Sequence, residues 1–209
     1  MSSSDIPLVK EVGRVPSMTV PLDRKQELRF QQLMEEAIMV DLHEHPMVFP
    51  EDLTRFVEYL REGKCHWGFE AVKHGGWTAV ATANCLRGFL NTHEVSFISF
   101  EVLLEEVGAM LADVSTEKDV IKVTTAAEIE SAKQQGKTGF LPSVEHLAIG
   151  YELDRIDLLH SLGIRIAGLT YNRRNYIGDG CFERVDGGLS GFGIEVVRRM
   201  NDLGMVVDL

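Results

Sequence analysis

Cysteine is scarce in this chain. Cys65, Cys85 and Cys181 are three in 209 residues, odd in number and widely spaced, and no two form a CxxC pair. That excludes a zinc ribbon and a disulfide scaffold and fits free thiols in a reducing compartment. No apolar run approaches the ~18 residues of a membrane span. Positive charge is also short: 21 Lys and Arg against 32 Asp and Glu leave a net charge of −11, which argues against a general nucleic-acid binder. There is no GxSxG elbow and no Walker loop, and no GxGxxG follows the first apolar run. The glycine-rich run Gly187 to Gly193 precedes a helix pattern but lacks the lysine and spacing of a phosphate cradle. Residues 1–21 carry three prolines and mixed charge and lack the apolar core of a signal peptide. They are expected to form an N-terminal arm on a cytoplasmic protein whose single domain runs over 22–209.

What is present is an alternation. A helix is expected over Leu22–Ala37, then a short apolar run, Ile38 to Leu42, suited to a buried strand and closed by Pro46. Helix is expected again over Glu51–Glu62, and a second strand follows the Gly75-Gly76 turn from Trp77. Val95–Val114 has the spacing of an amphipathic helix, and Thr125 and Glu128 form a capping-box pair for a short helix ended by Gly136. A third strand covers Thr138–Val144, a helix Leu147–Leu162, and a fourth strand Ile164–Thr170. After a polar loop, Ser190 caps a helix through Asp202, and Met205–Leu209 is a further strand. Strands alternating with helices predict an α/β protein with a parallel sheet. Five strands suit an open doubly wound sheet or part of a TIM-type (β/α)8 barrel, which closes with eight. A strand at the last residue leaves no room for the loop that would follow it, so a cut at Leu209 is expected.

Chemistry gathers at the predicted strand ends. His43 and His45 are two apart, so on a strand their imidazoles share a side and can bind one metal ion; the other reading is a solvated pair in a loop. Asp41 shares that side one step deeper and is expected to orient a ligand from behind. Glu145 ends the third strand, where its carboxylate can bridge two ions, act as a base, or simply complement the next helix's dipole. His146 should point away. Tyr171 and Asn172 open the polar loop as candidate substrate contacts, and Arg173 and Arg174 can attract a carboxylate or face solvent. His66, His74, His93 and His160 have no partner spacing.

Four stretches together resemble the membrane (renal) dipeptidase family, a branch of the metal-dependent hydrolase superfamily. They are Asp41-Leu-His-Glu-His45, Ser143-Val-Glu145, Leu162 to Asn172, and Gly188 to Gly193 continuing through Val196-Val197 and Met200-Asn201 to Leu203–Leu209. The last two are long and specific; the likeness covers about residues 36 to 209 and is weakest between 50 and 120. The resemblance implies the N-terminal portion of a TIM-like barrel, truncated after about five strands, with two zinc ions sharing a glutamate. On that basis His43 ligates the first ion and Glu145 bridges. His45 stands where the family has aspartate, giving a neutral ligand in place of an anion. Tyr171 stands where family members often place a substrate-contacting histidine.

The family's next two histidine ligands, and an acid/base aspartate, would follow Leu209. The implied activity is zinc-dependent hydrolysis of a dipeptide amide bond by an activated water. This piece alone should hold one Zn2+ readily and show little activity. Two alternatives remain: an amidohydrolase-like enzyme acting on another amide or ester, and a non-catalytic homologue. A small peptide substrate, no nucleic acid, no membrane, and a homodimer through open barrel edges complete the expectations.

Overall fold

In the computed structural model, the described residues are 6–9, 20–46, 48–61, 68–84 and 98–209. They form seven α-helices and six strands: α1 (Arg24–Glu36), β1 (Val40–Glu44), α2 (Phe56–Arg61), α3 (Phe69–His74), β2 (Ala79–Asn84), α4 (Phe100–Thr116), β3 (Val120–Lys122), α5 (Ala126–Gln134), β4 (Thr138–Val144), α6 (Arg155–Leu162), β5 (Ile166–Gly168), α7 (Gly191–Asp202) and β6 (Val206–Asp208). A 3-10 turn, Leu53–Arg55, leads into α2.

Every strand pair is parallel. The sheet runs β1-β2-β4-β5-β6, with β3 added along the first residues of β4. This is a half-barrel of the TIM type, with helices between the strands. Parallel strands are joined by crossovers, which cover both sheet faces and bury the central strands. All residues of β2 and β4 are accordingly buried. One face, with Val80, Phe140 and Val144, packs with the apolar stripe of α4 and with residues of α6 and α7. The other, with Ala79, Ala81 and Leu141, packs with Ala132 of α5 and Val123.

Local signals set the boundaries. Asp23 caps α1 and Thr125 caps α5, each through a reciprocal capping box. Ser99 caps α4 and Ser190 caps α7. The helix expected from Leu147 instead begins at Arg155. Gly150 sits at φ 61°, a left-handed conformation that breaks a helix, and Arg155 Nη1 donates to the Ile149 carbonyl at 3.0 Å. Residues 147–154 therefore form a loop anchored by buried Leu147 and Ile149. Strand β3 and helix α3 are additions to the expected elements; three and six residues are too short to show a period. Helix α1 has the expected spacing but buries no residue, and Leu28 and Leu33 stay exposed. Residues 95–97 of the expected long helix, as well as Cys65, His66, Cys85 and His93, lie outside the described residues.

Candidate metal centre

The C-terminal ends of parallel strands are where catalytic groups of barrel enzymes collect. Here β1 brings His43 and, one residue beyond its end, His45; β4 ends at Val144 and delivers Glu145. The two imidazoles meet edge to face, with ring centroids 4.9 Å apart. His43 Nε2 lies 3.2 Å from His45 Nε2. Glu145 Oε1 lies 3.8 Å from the first nitrogen and 3.5 Å from the second. Among the described residues these three form the one group of His, Cys, Asp or Glu side chains close enough to share an ion.

The spacing suits a cation. Ligands about 2.0–2.1 Å from a tetrahedral ion stand about 3.3–3.4 Å from each other, and the three separations bracket that value. The donor set, two imidazole nitrogens and a carboxylate oxygen, is one that zinc accepts. His45 Nδ1 lies 3.1 Å from the Ala83 carbonyl oxygen. A carbonyl oxygen can only accept, so Nδ1 carries the hydrogen, and in the neutral ring Nε2 keeps its lone pair for the shared point. His43 Nδ1 faces Asp208 Oδ2 at 3.5 Å, placing a carboxylate behind that ring as well.

Asp41 contributes differently from the sequence expectation. Its Oδ1 accepts from the backbone N–H of His43 at 3.0 Å, so the contact is with the main chain. The β1–β2 register shifts between Asp41 and Glu44, which interrupts the simple alternation on which the shared-side argument relied. The carboxylate facing the His43 ring belongs to β6.

Glu145 is the most enclosed of the three, its side chain 11% exposed against 40% for His43 and 29% for His45. Its backbone N–H donates to Asn84 Oδ1 at 3.1 Å. Gly168 of β5 lets the chain at the end of β4 approach: a Cβ there would overlap the Glu145 carbonyl group. Leu147 N–H donates to the Gly168 carbonyl at 2.8 Å and closes that contact. His146 turns inward and is buried, its ring 6.0 Å from that of Tyr171.

A cleft of 580 Å³ opens beside the group, lined by His43, Glu145, Tyr171, Asn172, Cys181 and Asp208 among others. Tyr171 and Asn172 thus share a cavity with two of the three clustered residues. The arginines are held within the loop. Arg174 is paired through Nε and Nη2 with Asp179, which also accepts from Gly187 N–H. Those bonds hold the Asp179 carboxyl below the usual carboxylate range. Arg173 donates to the Phe182 carbonyl at 3.3 Å. Asn84 and the Ala83 carbonyl carried no sequence signal, because their roles depend on neighbouring strands; Asp208 lay within a motif already singled out, but its place behind His43 did not show there.

A parallel half-barrel with a His–His–Glu group at its strand ends is the framework of a metal-dependent hydrolase. The membrane dipeptidase family (peptidase family M19) matches residues 27–209, and the chain belongs to that family. It is 29% identical to an amidohydrolase from Pseudomonas aeruginosa, over 86% of this chain and 47% of that one, with a TM-score of 0.62. The probable dipeptidase PvdM from Pseudomonas aeruginosa shares the fold at 19% identity, 90% and 50% coverage and a TM-score of 0.66. So does a metallo peptidase from Rhodobacter sphaeroides liganded with a phosphinate mimic of the dipeptide L-Ala-D-Ala, at 22% identity, 82% and 58% coverage and a TM-score of 0.62. The chain spans about half the length of these solved relatives.

Proposed function

We propose that the whole protein of which this chain forms part is a zinc-dependent dipeptidase, hydrolysing the amide bond of a small peptide with an activated water. The observation that carries this reading is the convergence of His43 Nε2, His45 Nε2 and Glu145 Oε1 at 3.2 to 3.8 Å, from two separate strand ends. His43 and His45 would hold one Zn2+, and Glu145 would share its carboxylate between that ion and a second. Lewis acidity is what zinc supplies when bound, polarising a scissile carbonyl and acidifying water. The chain's own part is to hold the imidazoles in fixed tautomers, to place an enclosed carboxylate beside them, and to line the adjoining cleft. Tyr171 and Asn172 offer a hydroxyl and an amide there for a peptide's polar groups. The dipeptide mimic bound by the Rhodobacter relative supports a dipeptide as substrate.

In the full protein, His43→Ala should remove zinc and abolish dipeptide hydrolysis; retained hydrolysis at the parent rate would refute the assignment. The 209-residue chain by itself should hydrolyse dipeptides negligibly, since catalytic zinc sites normally draw three protein ligands per ion and, among the described residues, a second ion would have Glu145 alone. A competing reading, hydrolysis of another amide or an ester, is motivated by the 29% identity to an amidohydrolase and by Tyr171. A panel of dipeptides, D-residue forms included, run against simple amides and esters separates the two.

A further inference from the structure

The tip of β2 supplies none of the three clustered donors, yet it touches the supports of two of them. The Ala83 carbonyl faces His45 Nδ1, and Asn84 Oδ1 accepts the Glu145 N–H. Asn84 is 1% exposed, and its Nδ2 donates at 2.8 Å to Oε2 of Glu106, itself 3% exposed. Glu106 lies on α4 beside Leu103, Val107 and Met110, residues that form the buried apolar face of that helix. A carboxylate among such residues is costly to bury unless it is hydrogen-bonded, and the Asn84 amide supplies such a bond. That bond also acts on Asn84.

An amide has an oxygen end and a nitrogen end of similar shape, and hydrogen-bond partners decide which faces where. The Glu145 N–H requires the oxygen and Glu106 requires the nitrogen. The two demands agree and select one orientation. We propose that Glu106 and Asn84 form a buried positioning relay for the metal centre: Glu106 fixes the Asn84 amide, and the amide fixes the main chain that carries Glu145. Neither residue belongs to the clustered donors or lines the cleft beside them. Supports of this kind typically change metal affinity by about 10–100-fold when removed.

This inference rests on the metal-site reading, and the test separates them. Zinc affinity of the purified chain is measured by competition with a chromophoric chelator, folding by near-ultraviolet circular dichroism and thermal midpoint, and site geometry by the visible absorption of the Co2+-loaded protein. Asn84→Asp keeps the oxygen but sets one carboxylate against another. It should weaken zinc binding by about 10–100-fold and alter the Co2+ spectrum. The crossed variant N84D/E106Q restores a donor–acceptor pair of reversed polarity and should return both readouts to near the parent values. An Asn84→Asp protein that binds zinc like the parent overturns the relay, and so does a folded crossed variant that stays weak. Should Asn84→Asp alone fail to fold, the crossed variant still decides by the same two readouts. Glu145→Ala is the control: if it retains parent-level zinc affinity, the metal reading itself falls, whereas loss there with unchanged Asn84 variants sinks the relay alone.

Discussion

At the residue scale, the candidate centre depends on groups that offer no ligand atom. Gly168 illustrates this. Its backbone conformation is ordinary, and its requirement is space, since a methyl group would overlap the Glu145 carbonyl. Gly168→Ala should therefore cost about 1–3 kcal/mol, read as a lower denaturant midpoint, and should weaken zinc binding by moving Glu145. A variant with parent stability and parent zinc affinity would contradict the account. Tyr171 makes a separate case. Its ring lies 6.0 Å from that of buried His146 while the residue lines the cleft. If it contacts substrate, Tyr171→Phe in the full protein should raise KM for a dipeptide and leave zinc content unchanged; an unaltered KM would remove it from the substrate site. His43, His45 and Glu145 were legible because each falls at or just past the end of a recognisable strand, and Tyr171 and Asn172 were singled out because they open the loop after one. Asp208 and Asn84 were not, because a carboxylate behind an imidazole or an amide beneath a peptide N–H is a relation between strands distant in the chain.

At the element scale, an ion pair ties two of the covering helices together. Helices α6 and α7 meet through Asp157 and Arg199, which make a two-point contact involving Arg199 Nε and Nη2. That hydrogen bonding holds the Asp157 carboxyl below its usual range, and burial with Arg165 nearby lowers His160 on the same helix. Both shifts have the same sign for stability. A depressed carboxyl contributes above its unfolded pKa of about 3.9 and loses that contribution as pH falls through the lower folded value. A depressed imidazole favours the neutral form in the fold, so its contribution is present above about 6.5 and declines as pH drops through and below that value. The thermal midpoint should fall in two stages on acidification, the first absent in His160→Gln and the second in Asp157→Asn. Identical pH profiles for parent and variants would show that the seam carries no such dependence. Most helix boundaries were legible from caps, with Thr125, Ser190 and Gly163 each where an end was expected. The start of α6 was not, because the 147–154 segment is apolar enough to read as helix, and its loop form follows from Gly150 and the Arg155–Ile149 contact.

At the scale of the whole molecule, the sheet path begins at β1 and ends at β6, so each has a side with no ladder partner among the described residues. Such sides present unpaired peptide groups and favour edge pairing. The purified 209-residue chain should elute with concentration-dependent self-association, and a clean monomer across the range would count against open edges. Zinc should act in the opposite, intramolecular sense. It would join groups from β1 and β4 in the folded state, so added Zn2+ should raise the thermal midpoint, by an amount equivalent to about 2.7 kcal/mol at one hundred times its dissociation constant. Glu145→Ala should abolish that rise.

The sequence by itself determined the strand–helix alternation, the parallel α/β class, and the residues arriving at strand ends, because capping, apolar runs and Gly or Pro stops act over a few neighbouring residues. It also carried the family resemblance, in segments long enough to be specific. What the tertiary structure alone decided is convergence. Only the parallel order β1-β2-β4-β5-β6 sets Glu145 across from His43 and His45, puts Ala83 and Asn84 beneath two of them, and brings Asp208 behind His43. Distances of 3 to 4 Å between residues up to 165 positions apart are fixed by strand register, and register belongs to the packed sheet rather than to any local run of residues.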